Sequence, residues 1–145
     1  MSRPRAGFLL LLVLAGCTGP VRSYPVYESK AARTAKVEAS AVETAGLAVQ
    51  TAVERKVFGR TLAQTLAEAA RDAGETQGVF DAIQPPDGRA DRLRASLDDL
   101  LGQTVATLDG LRTASRRGDV AELPKLAAPL ADLSRKLDDF AQAHQ

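Results

Sequence analysis

The sequence predicts an all-α fold, an antiparallel up-down-up-down four-helix bundle over residues 26–145. Three observations point there. Apolar residues recur at steps of three and four in four successive segments, the spacing that lines one side of a helix. No segment alternates with period two, so strands are not expected. The breaks between segments are only a few residues long and carry Gly or Pro, and short connections favour antiparallel neighbours.

The first segment, 27–57, is rich in alanine, with Ala31, Ala35, Val42, Ala45, Val49 and Ala52 along one face. Val37, Leu47 and Val53 lie off that stripe, which leaves its orientation ambiguous, and Gly59 is the expected stop. The second, 61–83, opens on Thr61-Leu62-Ala63-Gln64, a capping-box pattern, and its stripe runs Leu62, Leu66, Ala69, Ala73, Thr76, Phe80, Ile83. Gly74 and Gly78 are expected to let this helix approach a neighbour closely. The tandem prolines of "QPPDG" at 84–88 then end it.

The third segment, 88–116, has Asp87 as a candidate cap and the stripe Leu93, Leu97, Leu100, Thr104, Leu108, Leu111. Gly118-Asp119 makes the next turn. The fourth, 120–143, repeats Leu123, Leu126, Leu130, Leu133, Leu137, Phe140, with Asp119 and Glu122 as capping candidates. Pro124 and Pro129 interrupt it, so a start or kink near the first and a bend at the second are expected. Because alanine stripes bury less area than leucine stripes, a dimer of two long hairpins is the competing architecture.

The amino terminus does not belong to this pattern. "MSRPRAG" carries Arg3 and Arg5 and no acid, and an apolar run of 8 residues, Phe8 to Ala15, follows. As a helix that run reaches about 12 Å, against a hydrocarbon core of about 30 Å, so it is too short to span a bilayer. It is apolar on every side and therefore unlike an amphipathic core helix. A basic start, a short apolar run and then small residues is the layout of a secretory signal. Leu14-Ala15-Gly16-Cys17 resembles the bacterial lipobox, the processing site of lipoproteins; the resemblance covers residues 1–17 only. It implies a cleaved signal peptide (1–16), a diacylglyceryl thioether on Cys17, with or without N-acylation, and a tether over 17–25. It further implies export and anchoring to the outer face of the cell membrane, or to an outer membrane in a diderm source.

Removing residues 1–16 takes Lys+Arg from 19 to 17 against 18 acidic residues, a net of −1. A nucleic-acid binder usually needs a strongly basic face, so none is expected as partner. Cys17 is the only cysteine; once lipidated it leaves no thiol for disulfides, catalysis or metal. His144 is the only histidine and reads as a fraying terminal residue, with no Glu-x-x-His pattern to recruit it. Asp98-Asp99 and Asp138-Asp139 are adjacent pairs, which diverge by about 100° on a helix, and so read as solvated faces. Serine has no second histidine and no Gly-x-Ser-x-Gly turn to activate it. The expectation is therefore no enzyme, no metal and no cofactor beyond the covalent lipid.

One polar concentration remains. In an alternating bundle, Arg55, Lys56 and Arg60 fall at the same end as Arg112, Arg116 and Arg117, the end distal from the anchor. This patch is a candidate site for an anionic partner, either an acidic envelope protein or a wall polymer. The simpler reading is that cations at the ends of helices complement the helix dipole. The expected function is a non-enzymatic binding or structural role in the envelope. The alternative is a bundle that senses or carries a small molecule between its helices.

Overall fold

The computed structural model describes residues 21–55 and 59–145. Helix accounts for 87% of them and no strand occurs among them, so the chain is all-α with four helices packed together. The elements are α1 (Tyr24–Arg55), α2 (Arg60–Asp81), α3 (Gly88–Arg117), a 3₁₀ turn (Val120–Glu122), α4 (Leu123–Ala127) and α5 (Leu130–Ala143). Cys17, the lipobox residues Leu14, Ala15 and Gly16, and Lys56 lie outside the described residues.

α1 is the longest helix at 32 residues and packs against α2, α3, α4 and α5. It starts at Tyr24, so the last two residues of the expected tether, Tyr24 and Pro25, are helical. Proline is tolerated there because first-turn amides have no intrahelical acceptor to lose. The alanine stripe faces inward as expected: Ala31, Ala35, Val42, Ala45, Val49 and Ala52 are all buried. Small side chains on α1 leave room for long ones opposite. A Cβ added at Gly46 would stand 3.8 Å from Leu130 Cδ1, ordinary contact distance.

α2 begins one residue before its expected start, with Gly59 rather than Thr61 at the cap position, and no side chain caps it. Gln64, the expected reciprocal member of a capping box, instead donates to Glu68 at 3.0 Å. Gly74 and Gly78 are exposed, and a Cβ on either would meet nothing within 4 Å, so neither mediates close helix packing. Arg94 closes the end of α2 from α3. Its guanidinium donates to the carbonyl of Asp81 at 2.9 Å, an acceptor the helix C-terminus leaves open, and to that of Ile83 at 3.2 Å, just beyond the helix.

α3 starts where expected. The Asp87 carboxylate accepts from the amides of Arg89 and Ala90, both at 2.9 Å. Its buried stripe is Leu93, Leu97, Leu101, Thr104, Leu108, Leu111, with Leu101 fully buried where Leu100 was expected. Two successive steps of four occur because a straight helix turns every 3.6 residues and drifts against a strict heptad. Gly118 ends α3 at φ 77°, the left-handed conformation that favours glycine.

The two prolines split the fourth segment. Pro124 sits in the first turn of α4, and Pro129 stands at the cap position before α5, so the helix breaks at Ala128-Pro129. Neither Asp119 nor Glu122 makes a side-chain cap. Leu123, Leu130, Leu133 and Leu137 are buried, while Leu126 and Phe140 are only half-buried. The core is one cluster shared by all the α-helices, with Tyr27 and Phe80 in ring contact at 5.6 Å. Each fully buried leucine contributes roughly 1.5–3 kcal/mol of transfer free energy, so α3 and α5 supply more of the apolar burial per residue than α1.

Candidate functional site

Three places in the bundle hold polar chemistry, and they differ in kind. The first is the arginine-bearing end. Arg55 closes α1 and Arg60 opens α2; both border a groove of about 530 Å³ floored by Leu47, Thr51 and Leu62. Arg60 also borders a second groove, of about 480 Å³, together with Arg116 and the apolar Leu62, Val120 and Leu123. So the fold places Arg55, Arg60 and Arg116 around adjoining grooves. Arg112 and Arg117 are less available: Arg112 is paired to Asp109 at 3.1 Å, and Arg117 borders a hollow shared with Asp109, Asp119 and Glu122.

Helix-dipole complement accounts for only part of this cluster. Arg55, Arg116 and Arg117 lie in the last turns of α1 and α3, where cations are favoured. Arg60 lies in the first turn of α2, where the dipole disfavours a cation, and it makes no ion pair among the described residues.

The second place is the opposite end, around the start of α1. Tyr24 donates to Glu28 at 3.0 Å, and Glu28 also lies 3.0 Å from His144 Nδ1. The Arg89 guanidinium stacks over the Tyr24 ring at 3.7 Å, and His144 packs its ring 4.5 Å from that of Phe140. The hydrogen bond from His144 is the main influence holding the Glu28 carboxyl below its usual range. His144 is therefore tied to α1 rather than frayed. Arg94 lies nearby on α3, and one oxygen of its partner Asp98 is buried without a hydrogen bond, so Asp98 is not a simple solvated face.

The third place is the core itself. Glu38 is wholly buried on α1, and neither carboxylate oxygen has a partner. Burial alone pushes its pKa up to about 8, so the carboxyl is protonated at neutral pH. Thr104 of α3 and Tyr27 of α1 are likewise wholly buried with unpartnered hydroxyls. Reading the sequence for paired or clustered acids passes over Glu38, because it stands alone. Its position at the step after Ala31 and Ala35, on the alanine stripe, was the available signal.

Comparison with known proteins finds no matching family model, no matching curated protein and no matching solved structure. Among the described residues no group of three or more His, Cys, Asp or Glu is placed to hold a metal ion, and no helix is long and apolar enough to cross a membrane.

A fourth feature is a groove of mixed polarity. It is open, of about 720 Å³, and runs between α1 and α4–α5, with Val42, Leu47, Val53 and Leu130 beside Glu43, Gln50, Glu54 and Ser134. It exists because Gly46 and the small residues Ala127, Ala128 and Ala131 face each other where the fourth helix is broken.

Proposed function

We propose that this chain is an exported lipoprotein whose bundle, anchored through Cys17, holds an anionic envelope partner at its arginine-bearing end. In this reading the helices alternate up-down-up-down. Contacts between distant positions support that order at one end, Tyr27 with Phe80, Arg89 with Tyr24 and Glu28 with His144, and at the other Arg60 and Arg116 border one groove. The anchor would enter at the Tyr24 end, only seven positions from Cys17, and the cations would stand one helix length away. For 32 residues that length is about 48 Å.

The observation that carries the reading is Arg60, a cation at a helix start that its own helix does not favour, between two grooves that also expose Arg55 and Arg116. Apolar floors with cationic rims suit an acidic polymer or protein surface. The partner is bound rather than transformed, and the covalent lipid is the only group this reading requires.

Two measurements test it. Fatty-acid labelling should mark the wild-type chain and not Cys17→Ser; equal labelling removes the anchor. Crosslinking in the native envelope should capture an anionic partner with the wild type and lose it with Arg60→Glu combined with Arg116→Glu. Unchanged capture would reduce the arginines to solvated helix ends.

The α1–α5 groove supports a second reading, a carrier of a small molecule with both apolar and polar groups. Native mass spectrometry of protein from its own host separates the two, because a carrier arrives with its ligand bound.

A further inference from the structure

We propose that the outward face of α1 pairs with the same face of a second copy of this chain, the two helices running in opposite directions. This inference does not rest on the lipid anchor or the anionic partner. It uses Leu47 and Thr51 of the groove between Arg55 and Arg60. It also sets the Tyr24 ends of the two copies at opposite ends of the pair, so it competes with two bundles standing side by side on one membrane.

α1 carries a second stripe besides the one in the core. Positions 30, 33, 37, 40, 44, 47, 51 and 54 follow at steps of three and four and so share one face of the helix, with Val37 and Leu47 its apolar members. Of these, Lys30, Arg33, Val37, Ser40, Thr44, Leu47 and Glu54 are exposed. Four of the five large hydrophobic side chains exposed among the described residues belong to α1, and two of them, Val37 at 55% and Leu47 at 65%, lie on this stripe; Val26 and Val53 lie outside it. The inner stripe explains none of them.

Charge and shape along this stripe determine both the occupant and the direction. The cations Lys30 and Arg33 stand in the first half of α1 and the carboxylate Glu54 in its last turn. A parallel copy would face Lys30 with lysine, Arg33 with arginine and Glu54 with glutamate. A copy running the other way, about a two-fold axis midway between Ser40 and Thr44, removes all three clashes. It sets Lys30 opposite Glu54 of the partner subunit, Val37 opposite Leu47 of the partner subunit, and Ser40 opposite Thr44 of the partner subunit. Symmetry makes each pairing twice. Ser40, the smallest side chain of the stripe, and Thr44 fall at the axis, where two helices must come closest. Polar residues in the seam (Arg33, Thr51) make the dimer weak and concentration-dependent.

The test uses the full-length chain with Cys17→Ser in non-ionic detergent micelles, followed by sedimentation velocity across a concentration series. The expected result is a reversible monomer–dimer equilibrium. Lys30→Glu or Glu54→Lys should each weaken it about tenfold, since two attractive pairs become repulsive. The double swap, Lys30→Glu with Glu54→Lys, should restore it. In that background Leu47→Cys should crosslink to Val37→Cys in a mixture of the two proteins, and not to itself. All these positions are exposed, so circular dichroism should show unchanged helix throughout. A chain that stays monomeric, a double swap that fails to restore association, or a 47-to-47 crosslink overturns the proposal.

Discussion

His144 Nδ1 lies 3.0 Å from Glu28 Oε1, although 116 positions separate the two residues in the chain. The contact closes the end of α5 onto the first turns of α1. It is backed by the Tyr24 hydroxyl on the same carboxylate and by the Phe140 ring under the imidazole. Replacing His144 with alanine should move the Glu28 carboxyl titration up toward its usual 4.5. The sign follows from linkage. A carboxyl held low in the folded state adds stability above its unfolded value and loses it as pH falls through its folded value. His144→Ala should therefore flatten the acid limb of stability and cost about 0.5–1.5 kcal/mol near neutrality. Carbon-detected titration of Glu28 and urea unfolding at two pH values check both statements.

Glu38 gives the opposite pH dependence. With a folded pKa near 8 against an ordinary 4.5, the folded chain keeps a proton that the unfolded chain releases. Stability from this group is complete below pH 4.5, falls by at most about 1.4 kcal/mol per pH unit as pH rises, and levels off above 8. Glu38→Leu should abolish that slope and stabilise the bundle at neutral pH by about 2 kcal/mol, because an unpartnered polar group leaves the core. Unfolding free energy measured from pH 5 to 9 for both proteins decides it; identical slopes would place the proton elsewhere.

How much of this was legible beforehand depends on what each residue's signal was. Leucine spacing located α3 and α5 because leucine on a helix is buried when its neighbours at three and four are apolar too. The choice of Leu101 over Leu100 was not legible, since both fit the local spacing and only the packing partner selects between them. Pro124 and Pro129 marked their breaks by lacking an amide proton. The contact from His144 was invisible because it joins positions 116 residues apart in the chain, and no local pattern encodes such a pairing. Arg55, Arg60 and Arg116 border two adjoining grooves, whereas the i, i+3 pairing of Arg112 to Asp109 is a local spacing readable in the sequence.

Arg94 should matter more than its partly exposed position suggests. It serves two carbonyls at the end of α2 and the carboxylates of Asp81 and Asp98. Arg94→Met keeps the stem but removes every donor, and should cost about 1.5–3 kcal/mol with the loss concentrated at the end of α2. Hydrogen exchange should then show faster amides over the last turn of α2 than in the wild type, with α5 unchanged.

Gly118→Ala tests the turn that reverses the chain after α3. At φ 77° an alanine meets a steric penalty, although a Cβ there would touch nothing within 4 Å. The cost should be about 1 kcal/mol and arise from the backbone alone. Gly74→Ala, in an exposed helical position with equal space, should instead stabilise by a similar amount. Thermal melts of the two variants should shift in opposite directions.

Because Glu28 and His144 join the two ends of the described chain, the bundle is arranged for rewiring. A short linker from Gln145 back to Val21, with new termini opened between Gly118 and Asp119, should yield a circular permutant that keeps every helix and every buried contact. Such a permutant would carry fusion tags at the arginine-bearing end. A tag added at Gln145 in the native order would crowd the start of α1 instead.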